Sequence, residues 1–315
     1  MSQINKTMKA IRVHAYGGVE KLVYEDAAIP VPQGGQVLIK VHAASVNPFD
    51  HKVASGAFAK FIPLKLPYIP GADFSGVVEA LGANVSGFKI GDPVYGNSQP
   101  VGAYAQFVAA PATTIARKPK TLTHPQAASV PTASQTAWQA LFDHGHLEPG
   151  QTVLIHAAAG GVGSFAVQFA HWKGAKVLAT ASAANADFVR SLGANQVIDY
   201  KATRFETVAK DIDLVLDLMG GDTQTRSFTI LKSGGRLIAT TQPPSKEEAT
   251  RRGVTAEMME MKASTAGLTQ IANLLDSGAI KTIVGKSFPL ANVAEAWTLS
   301  LSGHAQGKIV LEVPA

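Results

Sequence analysis

The 315-residue chain contains no cysteine, and charged residues make up only 16% of it. Without cysteine, neither a disulfide framework nor a thiolate metal site can form. Long apolar runs are also missing, so no stretch reaches the length of a membrane-spanning helix. The first residues, MSQINKTMKA, lack the apolar segment of a signal peptide. We therefore expect a cytoplasmic protein that does not enter a membrane.

The charges that are present show little clustering. The formal net charge is +5, and Arg251-Arg252 is the densest cluster of basic residues. This dispersion is typical of a solvated surface and argues against a nucleic-acid partner. Hydrophobic residues make up 46% of the chain, which suffices for a large core and, at this length, for two domains.

One stretch organises the rest of the sequence. The apolar run Val153-Leu154-Ile155 predicts a buried parallel strand. A glycine-rich turn, Ala158–Gly163, follows it, and then Phe165, Phe169 and Trp172 recur at helical spacing. A strand, a glycine turn and a helix form the first unit of a dinucleotide-binding fold.

The glycines of this turn have separate expected roles. Gly160 and Gly161 lack a Cβ and would let a pyrophosphate reach the free N–H groups of the helix start. Gly163 would let the helix pack against the strand. Ala158 stands at the first position of the G-x-G-x-x-G pattern, so the match is imperfect. An ordinary strand-to-helix turn is the alternative.

The flanking sequence predicts two different architectures. Before residue 126, short strands between Gly and Pro turns favour a small barrel or sandwich. After Thr152, strands alternate with helices, as in a doubly wound parallel sheet. The predicted strands are Met8–Ala15, Gln36–Ala43, Asp73–Ala80, Asp92–Tyr95, Ala103–Ala109, Val153–His156, Lys176–Thr180, Gln196–Ile198, Leu214–Leu218, Arg236–Thr240, Val254–Met261 and Lys308–Val313, and the main predicted helices are Gln126–Phe142 and Ser264–Leu275.

The second predicted strand of the cofactor domain ends without an acidic residue. An NAD-binding unit usually carries Asp or Glu there, but this chain reads Ala179-Thr180-Ala181-Ser182. A carboxylate would repel a 2′-phosphate by roughly 4 kcal/mol at about 4 Å, so its absence favours NADPH. Ser182, Asn185 and Tyr200 could bind that phosphate. Alternatively, Ser182 and Asn185 only cap the helix Ala186–Leu192.

Nine stretches spread over nearly the whole chain form one ordered set. They are Ser45–Lys52, Ile69–Val78, Gly91–Gly96, Ala128–Ala133, Thr136–Trp138, Ala158–Gly163, Leu192–Ala194, Ile198–Tyr200 and Gly307–Val310. As a set they resemble the medium-chain dehydrogenase/reductase superfamily, in its zinc-independent quinone oxidoreductase branch. That branch includes NADPH-dependent alkenal and enone reductases.

The resemblance implies an α/β protein with two domains and an active site in the cleft between them. We expect a GroES-like β-rich catalytic domain from residues 1–125 and 264–315. A Rossmann NADP(H)-binding domain with a doubly wound parallel sheet would comprise residues 126–263. Zinc-dependent relatives hold their metal with a Cys near Asn47 and a His near Ala72, and neither ligand stands at its position here. We therefore expect activity without a metal.

The resemblance also implies site residues. Expected cofactor contacts are Asn47, Lys52, Thr132, Thr136, Gly160, Gly161, Val162, Ser182, Asn185, Tyr200, Leu218, Thr240 and Thr241. Asn185 departs from the family, which often has Lys at this position. Asn47, Lys52 and Tyr68 are the predicted catalytic residues, and the proton could come from Lys52, Tyr68, a cofactor hydroxyl or water.

Asn47 and Lys52 are expected in a loop that faces the cleft. The segment Phe49–Tyr68, with Phe58 and Phe61, is interpreted as a substrate loop, although ordinary core packing of these aromatic residues is the alternative. Asn47 could instead only cap a turn. Lys52 could be a solvated surface charge.

Three functions are consistent with the sequence. The first is NADPH-dependent reduction of quinones or of enones and enals, and the second is reduction of enoyl thioesters. The third is a non-enzymatic NADPH-binding module. The apolar segment Val254–Met261 at the expected edge of the cofactor-domain sheet, together with the resemblance, predicts a homodimer.

Overall fold

A computed structural model describes residues 7–314, which divide into two compact units. Unit 1 comprises residues 7–132, 263–278 and 282–314, and unit 2 comprises residues 133–262 and 279–281. No helix in the described range is both long and apolar enough to span a bilayer.

The described residues form fifteen strands and ten α-helices. The strands are β1 (Thr7–Val13), β2 (Leu22–Ala28), β3 (Gln36–Ser45), β4 (Asp73–Leu81), β5 (Pro93–Asn97), β6 (Phe107–Pro111), β7 (Ile115–Arg117), β8 (Thr152–Ile155), β9 (Lys176–Ala181), β10 (Gln196–Asp199), β11 (Ile212–Asp217), β12 (Leu231–Ala239), β13 (Thr255–Met258), β14 (Val284–Pro289) and β15 (Lys308–Glu312). The helices are α1 (Pro48–Ala54), α2 (His124–Ala128), α3 (Pro131–Trp138), α4 (Gly161–Lys173), α5 (Ala186–Ser191), α6 (Phe205–Val208), α7 (Gly221–Ser227), α8 (Lys246–Arg252), α9 (Thr265–Asp276) and α10 (Val293–Leu301).

Unit 1 is built around a largely antiparallel sheet in the order β14-β15-β3-β4-β5-β7. The long strand β3 also pairs with β6, and β1 pairs with β2 in a separate ribbon. β15 pairs with β3, with Val310 opposite Ser45, so the C-terminal strand completes the N-terminal sheet. Apolar side chains from both parts of the chain share one core, which includes Ile39, Phe74 and Trp297.

Unit 2 contains a six-stranded sheet in the order β10-β9-β8-β11-β12-β13. All of its strand pairs are parallel, and helices connect most of them. The winding reverses between β8 and β11, and ligands of such sheets bind beyond the carboxyl ends of the strands at this position. The predicted α/β class with a doubly wound parallel sheet is confirmed.

The single helix predicted over Gln126–Phe142 is wrong. α2 ends at Ala128, and α3 begins at Pro131. Proline lacks an N–H and disfavours helical geometry at the residue before it, so a helix cannot run unbroken through Val130. A π-helix, Gln139–His144, continues α3, and Gly145 N–H donates to the carbonyl of Ala140.

The predicted loop around Asn47 and Lys52 is also wrong, because residues 48–54 form α1. Pro48 occupies the first helical position, where a missing N–H has no consequence. The backbone N–H of Asn47 donates to Asp50 Oδ2 at 2.9 Å, which closes the first turn of the helix. Farther along, the strand predicted from Ala103 begins only at Phe107, where pairing with β3 starts.

Candidate active site

In unit 2, a glycine turn carries the chain from β8 into α4. Gly160 is the N-cap residue of α4 and has no side chain, so the N-cap position supplies no side-chain acceptor for the first N–H groups of the helix. A Cβ on Gly163 would lie 2.4 Å from the carbonyl oxygen of Ala157 and 2.7 Å from Ala158 Cα. Glycine is therefore required for α4 to start this close to the turn. The geometry fits the pyrophosphate of a dinucleotide.

A buried histidine supports this turn. His156 Nε2 lies 2.9 Å from Ser227 Oγ, and His156 Nδ1 lies 3.1 Å from Thr180 Oγ1. The Ser227 hydroxyl donates to Thr223 O, so it accepts from an Nε2–H, and Nδ1 accepts from Thr180. Burial lowers the pKa of His156 to about 4, which keeps the imidazole neutral. His156 therefore joins the ends of β8 and β9 to α7.

A buried carboxylate shapes the neighbouring turn after β11. Asp217 Oδ1 accepts from the N–H groups of Met219 and Gly220, each at 2.9 Å, and Asp217 Oδ2 accepts from Gln224 Nε2 at 2.9 Å. Within residues 7–314, the buried hydroxyl of Thr241 has no hydrogen-bond partner. A Cβ on Gly220 would approach that hydroxyl to 2.8 Å. The Thr241 hydroxyl thus lies beside Gly220 at the carboxyl edge of the sheet without a hydrogen-bond partner. A polar ligand bound at this edge could supply that partner.

The ends of β9 and β10 place two of the residues predicted for the 2′-phosphate on neighbouring stretches of backbone. The N–H of Tyr200 donates to the carbonyl of Ala181 at 3.2 Å, so Tyr200 lies beside the residue that precedes Ser182. The Tyr200 side chain is exposed. The side chains of Ser182 and Asn185 make no capping hydrogen bond to the helical turns that follow them. Both residues nevertheless occupy the N-cap positions of these turns, as the alternative interpretation expects.

In unit 1, the fully buried carboxylate of Asp73 organises a polar cluster. It accepts hydrogen bonds from Asn47 Nδ2 at 2.9 Å, Asn97 Nδ2 at 3.1 Å, Thr132 Oγ1 at 2.6 Å, Thr132 N at 3.2 Å and Ser45 Oγ at 3.4 Å. The ammonium of Lys308 lies 3.9 Å from Asp73 Oδ2. We call this set (Ser45, Asn47, Asp73, Asn97, Thr132 and Lys308) the Asp73 cluster. It ties the start of α1 and the start of α3 to the sheet.

A second buried carboxyl group lies beside the Asp73 cluster. Asp50 Oδ2 accepts from the Tyr104 hydroxyl at 2.7 Å and from the N–H of Asn47 at 2.9 Å. Burial raises the pKa of Asp50 to about 7. Burial also raises the pKa of Tyr104, which therefore stays a hydrogen-bond donor. Asp50 thus fixes the backbone of Asn47, and Tyr104 holds the Asp50 carboxyl group in place.

Comparison with known proteins identifies the family. The chain is 34% identical to quinone oxidoreductase of Pongo abelii over 334 residues, which cover 99% of each chain. It is 36% identical to the solved quinone oxidoreductase of Coxiella burnetii, with a TM-score of 0.93 and coverage of 98% of this chain and 100% of the other. The chain belongs to the quinone oxidoreductase family of medium-chain dehydrogenases/reductases.

Two family models match separate parts of this quinone oxidoreductase family member. "Alcohol dehydrogenase GroES-like domain" matches residues 33–120, and "Zinc-binding dehydrogenase" matches residues 192–311. A mycobacterial structure described as complexed with NADPH is 29% identical, with a TM-score of 0.89 and coverage of 97% of this chain and 99% of the other. The chain is thus an oxidoreductase that uses a nicotinamide cofactor and acts on a small molecule.

The predicted site residues of unit 1 differ in their surroundings. Asn47 and Thr132 both bond to Asp73. Lys52 lies exposed on α1. Tyr68 packs in the core of unit 1, and within residues 7–314 its buried hydroxyl has no hydrogen-bond partner. Burial raises the pKa of Tyr68 to about 12.

The remaining predicted residues lie on unit 2. Gly161 and Val162 form the first turn of α4, Leu218 follows β11, and Thr240 and Thr241 follow β12. Thr136 is buried in α3. Of the aromatic residues in the predicted substrate loop, Phe58 packs against the core, whereas Phe61 is 82% exposed.

Sequence reasoning did not assign roles to Asp73, Lys308, Asp217 or His156. Asp73 and Lys308 stand inside stretches that carry the family resemblance, which was the available signal. His156 and Asp217 each lie at the carboxyl end of a predicted strand, the position where ligand-supporting groups gather in such sheets. In residues 7–314, no three His, Asp or Glu side chains are grouped to hold a metal ion.

Proposed function

We propose that this oxidoreductase uses NADPH to reduce quinones or α,β-unsaturated carbonyls, without zinc. The observation that carries the cofactor choice is the end of β9, where Ser182 follows Ala181 without a carboxylate and Tyr200 lies beside it. The similarity to quinone oxidoreductases and to a protein complexed with NADPH supports the choice of acceptor and cofactor.

Different residues of unit 2 would bind different parts of the proposed cofactor. The N–H groups of Gly161 and Val162, beside Gly160, would bind the pyrophosphate. Ser182, Asn185 and Tyr200 would bind the 2′-phosphate through neutral donors. The rest of the cofactor would contact Leu218, Thr240, Thr241 and Thr136. Of these, Thr241 has a buried hydroxyl without a hydrogen-bond partner in residues 7–314, which a polar group of the cofactor would satisfy.

The nicotinamide ring supplies the hydride when the cofactor is bound. The residues of unit 1 would then orient the acceptor and handle its oxygen. Asn47 would donate a hydrogen bond there, and Lys52 would stabilise developing negative charge. Tyr68 would be the proton donor to the reduced acceptor, because within residues 7–314 its buried hydroxyl has no hydrogen-bond partner. Zinc has no part in this scheme, because Asn47 and Ala72 stand where zinc-dependent relatives have Cys and His.

An NADPH-oxidation screen tests the proposed function. Purified protein, dialysed against a chelator, is assayed with a quinone, a 2-alkenal and an enoyl thioester. We expect turnover with the quinone or the alkenal. Turnover with the thioester alone would make the chain an enoyl-thioester reductase. Tight NADPH binding without any turnover would make it a binding module, and loss of activity that zinc restores would refute the metal-free scheme.

Cofactor preference gives a sharper prediction. We expect kcat/KM to be higher with NADPH than with NADH, and Asn185→Lys to tighten NADPH binding about two- to fivefold. The gain corresponds to about 0.5–1 kcal/mol for an exposed ion pair. NADH, which lacks the 2′-phosphate, should bind equally well to both proteins. Equal or better kcat/KM with NADH would refute the preference.

Lys52 is tested by its effect on the two kinetic constants. In Lys52→Met we expect kcat and kcat/KM for the acceptor to fall together, by about tenfold, because the lost interaction forms only as charge develops. Lys89→Met, which removes another exposed lysine of unit 1, is the matched control. A rise in KM for NADPH with kcat retained would assign Lys52 to cofactor binding, and wild-type constants would leave it a surface charge.

We also propose a homodimer formed through β13, the edge strand of the unit 2 sheet. Met258 is 46% exposed at this edge. Met259 N–H donates to Ala239 on β12, so by strand alternation the N–H of Met258 points to the open side. We expect Met258→Pro to give a monomer in sedimentation experiments, whereas Met258→Ala, which keeps the N–H, stays dimeric. A dimeric proline variant would contradict the proposal.

A further inference from the structure

Lys308 is a buried lysine whose ammonium binds two groups of the segment that leads into α1. The residue is 5% exposed, and its Nζ donates to the carbonyl of Val46 at 2.7 Å and to Asn47 Oδ1 at 2.6 Å. Burial lowers the pKa of Lys308, while the nearby Asp73 and Asp50 oppose that shift. Lysine is rarely buried without a specific role, because desolvating an ammonium is expensive. Its position therefore needs an explanation beyond packing.

The side chain of Asn47 is held between two opposite charges. Its Oδ1 accepts from the Lys308 ammonium, and its Nδ2 donates to the Asp73 carboxylate at 2.9 Å. The flipped amide would point its N–H groups at the ammonium and its oxygen at the carboxylate. Both contacts would then be repulsive, so the two charges fix one orientation.

The fixed orientation determines what Asn47 can still offer. A side-chain amide has two N–H donors and two acceptor lone pairs. Lys308 uses one lone pair and Asp73 uses one N–H, so one donor at a set position remains. A reduced carbonyl oxygen needs such a donor as it gains negative charge.

We propose that Lys308 is a positioning residue that fixes the amide of Asn47 and thereby the hydrogen bond which Asn47 offers to the acceptor. The proposal rests on the proposed role of Asn47 in the reaction. Gly307, at φ +63°, gives Lys308 its place, because a Cβ there would lie 2.5 Å from the carbonyl oxygen of Ile283. Gly307 thus allows the backbone to enter β15 at this point, and Lys308 then reaches Asn47.

Kinetics of a charge-removing and a charge-keeping variant test this role. We expect Lys308→Met to lower kcat at least tenfold with KM for NADPH changed less than twofold, and Lys308→Arg to retain kcat within about threefold. Lys286→Met, which removes an exposed lysine from the adjacent strand β14, should match the wild type.

A double-mutant cycle separates positioning from a general structural role. If Lys308 acts through Asn47, then Lys308→Met should lower kcat no more than twofold further in an Asn47→Ala background. A tenfold further loss in that background would overturn the proposal.

A measurement without turnover keeps the inference separate from the proposed function. In protein labelled with 15N-asparagine, the side-chain amide signal of Asn47 is identified by its loss in Asn47→Ala. We expect its hydrogen exchange to be at least tenfold faster in Lys308→Met. Should that variant not fold, Lys308→Gln serves, because a neutral amide accepts either orientation, and exchange should be at least threefold faster. Unchanged exchange in the folded variant would overturn the proposal whatever the substrate.

Discussion

Replacing Asp73 with alanine is expected to destabilise unit 1 by about 3–5 kcal/mol, the range for removing one partner of a buried ion pair. The carboxylate is fully buried, and its loss removes the acidic group that lies 3.9 Å from the Lys308 ammonium. The donors of Asn47, Asn97 and Thr132 would lose their acceptor at the same time, and each unsatisfied buried donor carries its own penalty.

Urea unfolding followed by tryptophan fluorescence measures this loss. Trp297 is buried in unit 1, and replacing Trp138 and Trp172 of unit 2 with phenylalanine leaves it as the single reporter. We expect the midpoint to fall by at least about 1 M, given typical slopes of 1–3 kcal/mol per molar urea.

Asp26→Ala is the matched control. Asp26 pairs with Lys9 at 3.0 Å, but both side chains are about half exposed. Surface ion pairs contribute at most about 1 kcal/mol. Similar small shifts for Asp73→Ala and Asp26→Ala would show that the buried cluster does not stabilise unit 1.

The sequence predicted unit 2 better than the polar cluster of unit 1, and the reason is the distance along the chain. The turn at Gly160–Gly163 and the helix after it are local, so periodicity and glycine spacing reveal them. Asn47 and Lys308 lie 261 positions apart. No local pattern links them, and only the pairing of β15 with β3 brings them into contact.

Two of the three errors in secondary structure lie at a proline, a residue that can either break a helix or begin one. Pro48 lies in the segment predicted as a loop, but it occupies the first position of α1. Pro131 was included in a long helix, but it starts a new one. In both cases proline begins a helix. Whether a proline begins a helix or ends one depends on the hydrogen bonds that the residue before it makes. Asn47 makes such a bond to Asp50.

Gly163→Ala is expected to damage the fold of unit 2 itself. The added Cβ would meet backbone atoms of Ala157 and Ala158 at 2.4 and 2.7 Å, so the turn must move. Overpacking of this kind costs about 1–3 kcal/mol. The displaced turn would also lose its register with the end of β9, where Ala158 N–H donates to the carbonyl of Thr180. We expect a lower midpoint of unfolding without cofactor and at least tenfold weaker NADPH binding.

Gly160→Ala separates packing from cofactor approach. Gly160 has φ −77°, which any residue adopts, and a Cβ there would lie 3.4 Å from its nearest neighbour, the carbonyl oxygen of Ala157. We therefore expect the free protein to keep its stability within about 1 kcal/mol, as at an ordinary surface position. NADPH binding should still weaken at least tenfold, because the methyl group obstructs the approach of the pyrophosphate to the helix start. Calorimetric titration with NADPH checks this, and wild-type affinity in Gly160→Ala would show that the pyrophosphate does not bind at this turn.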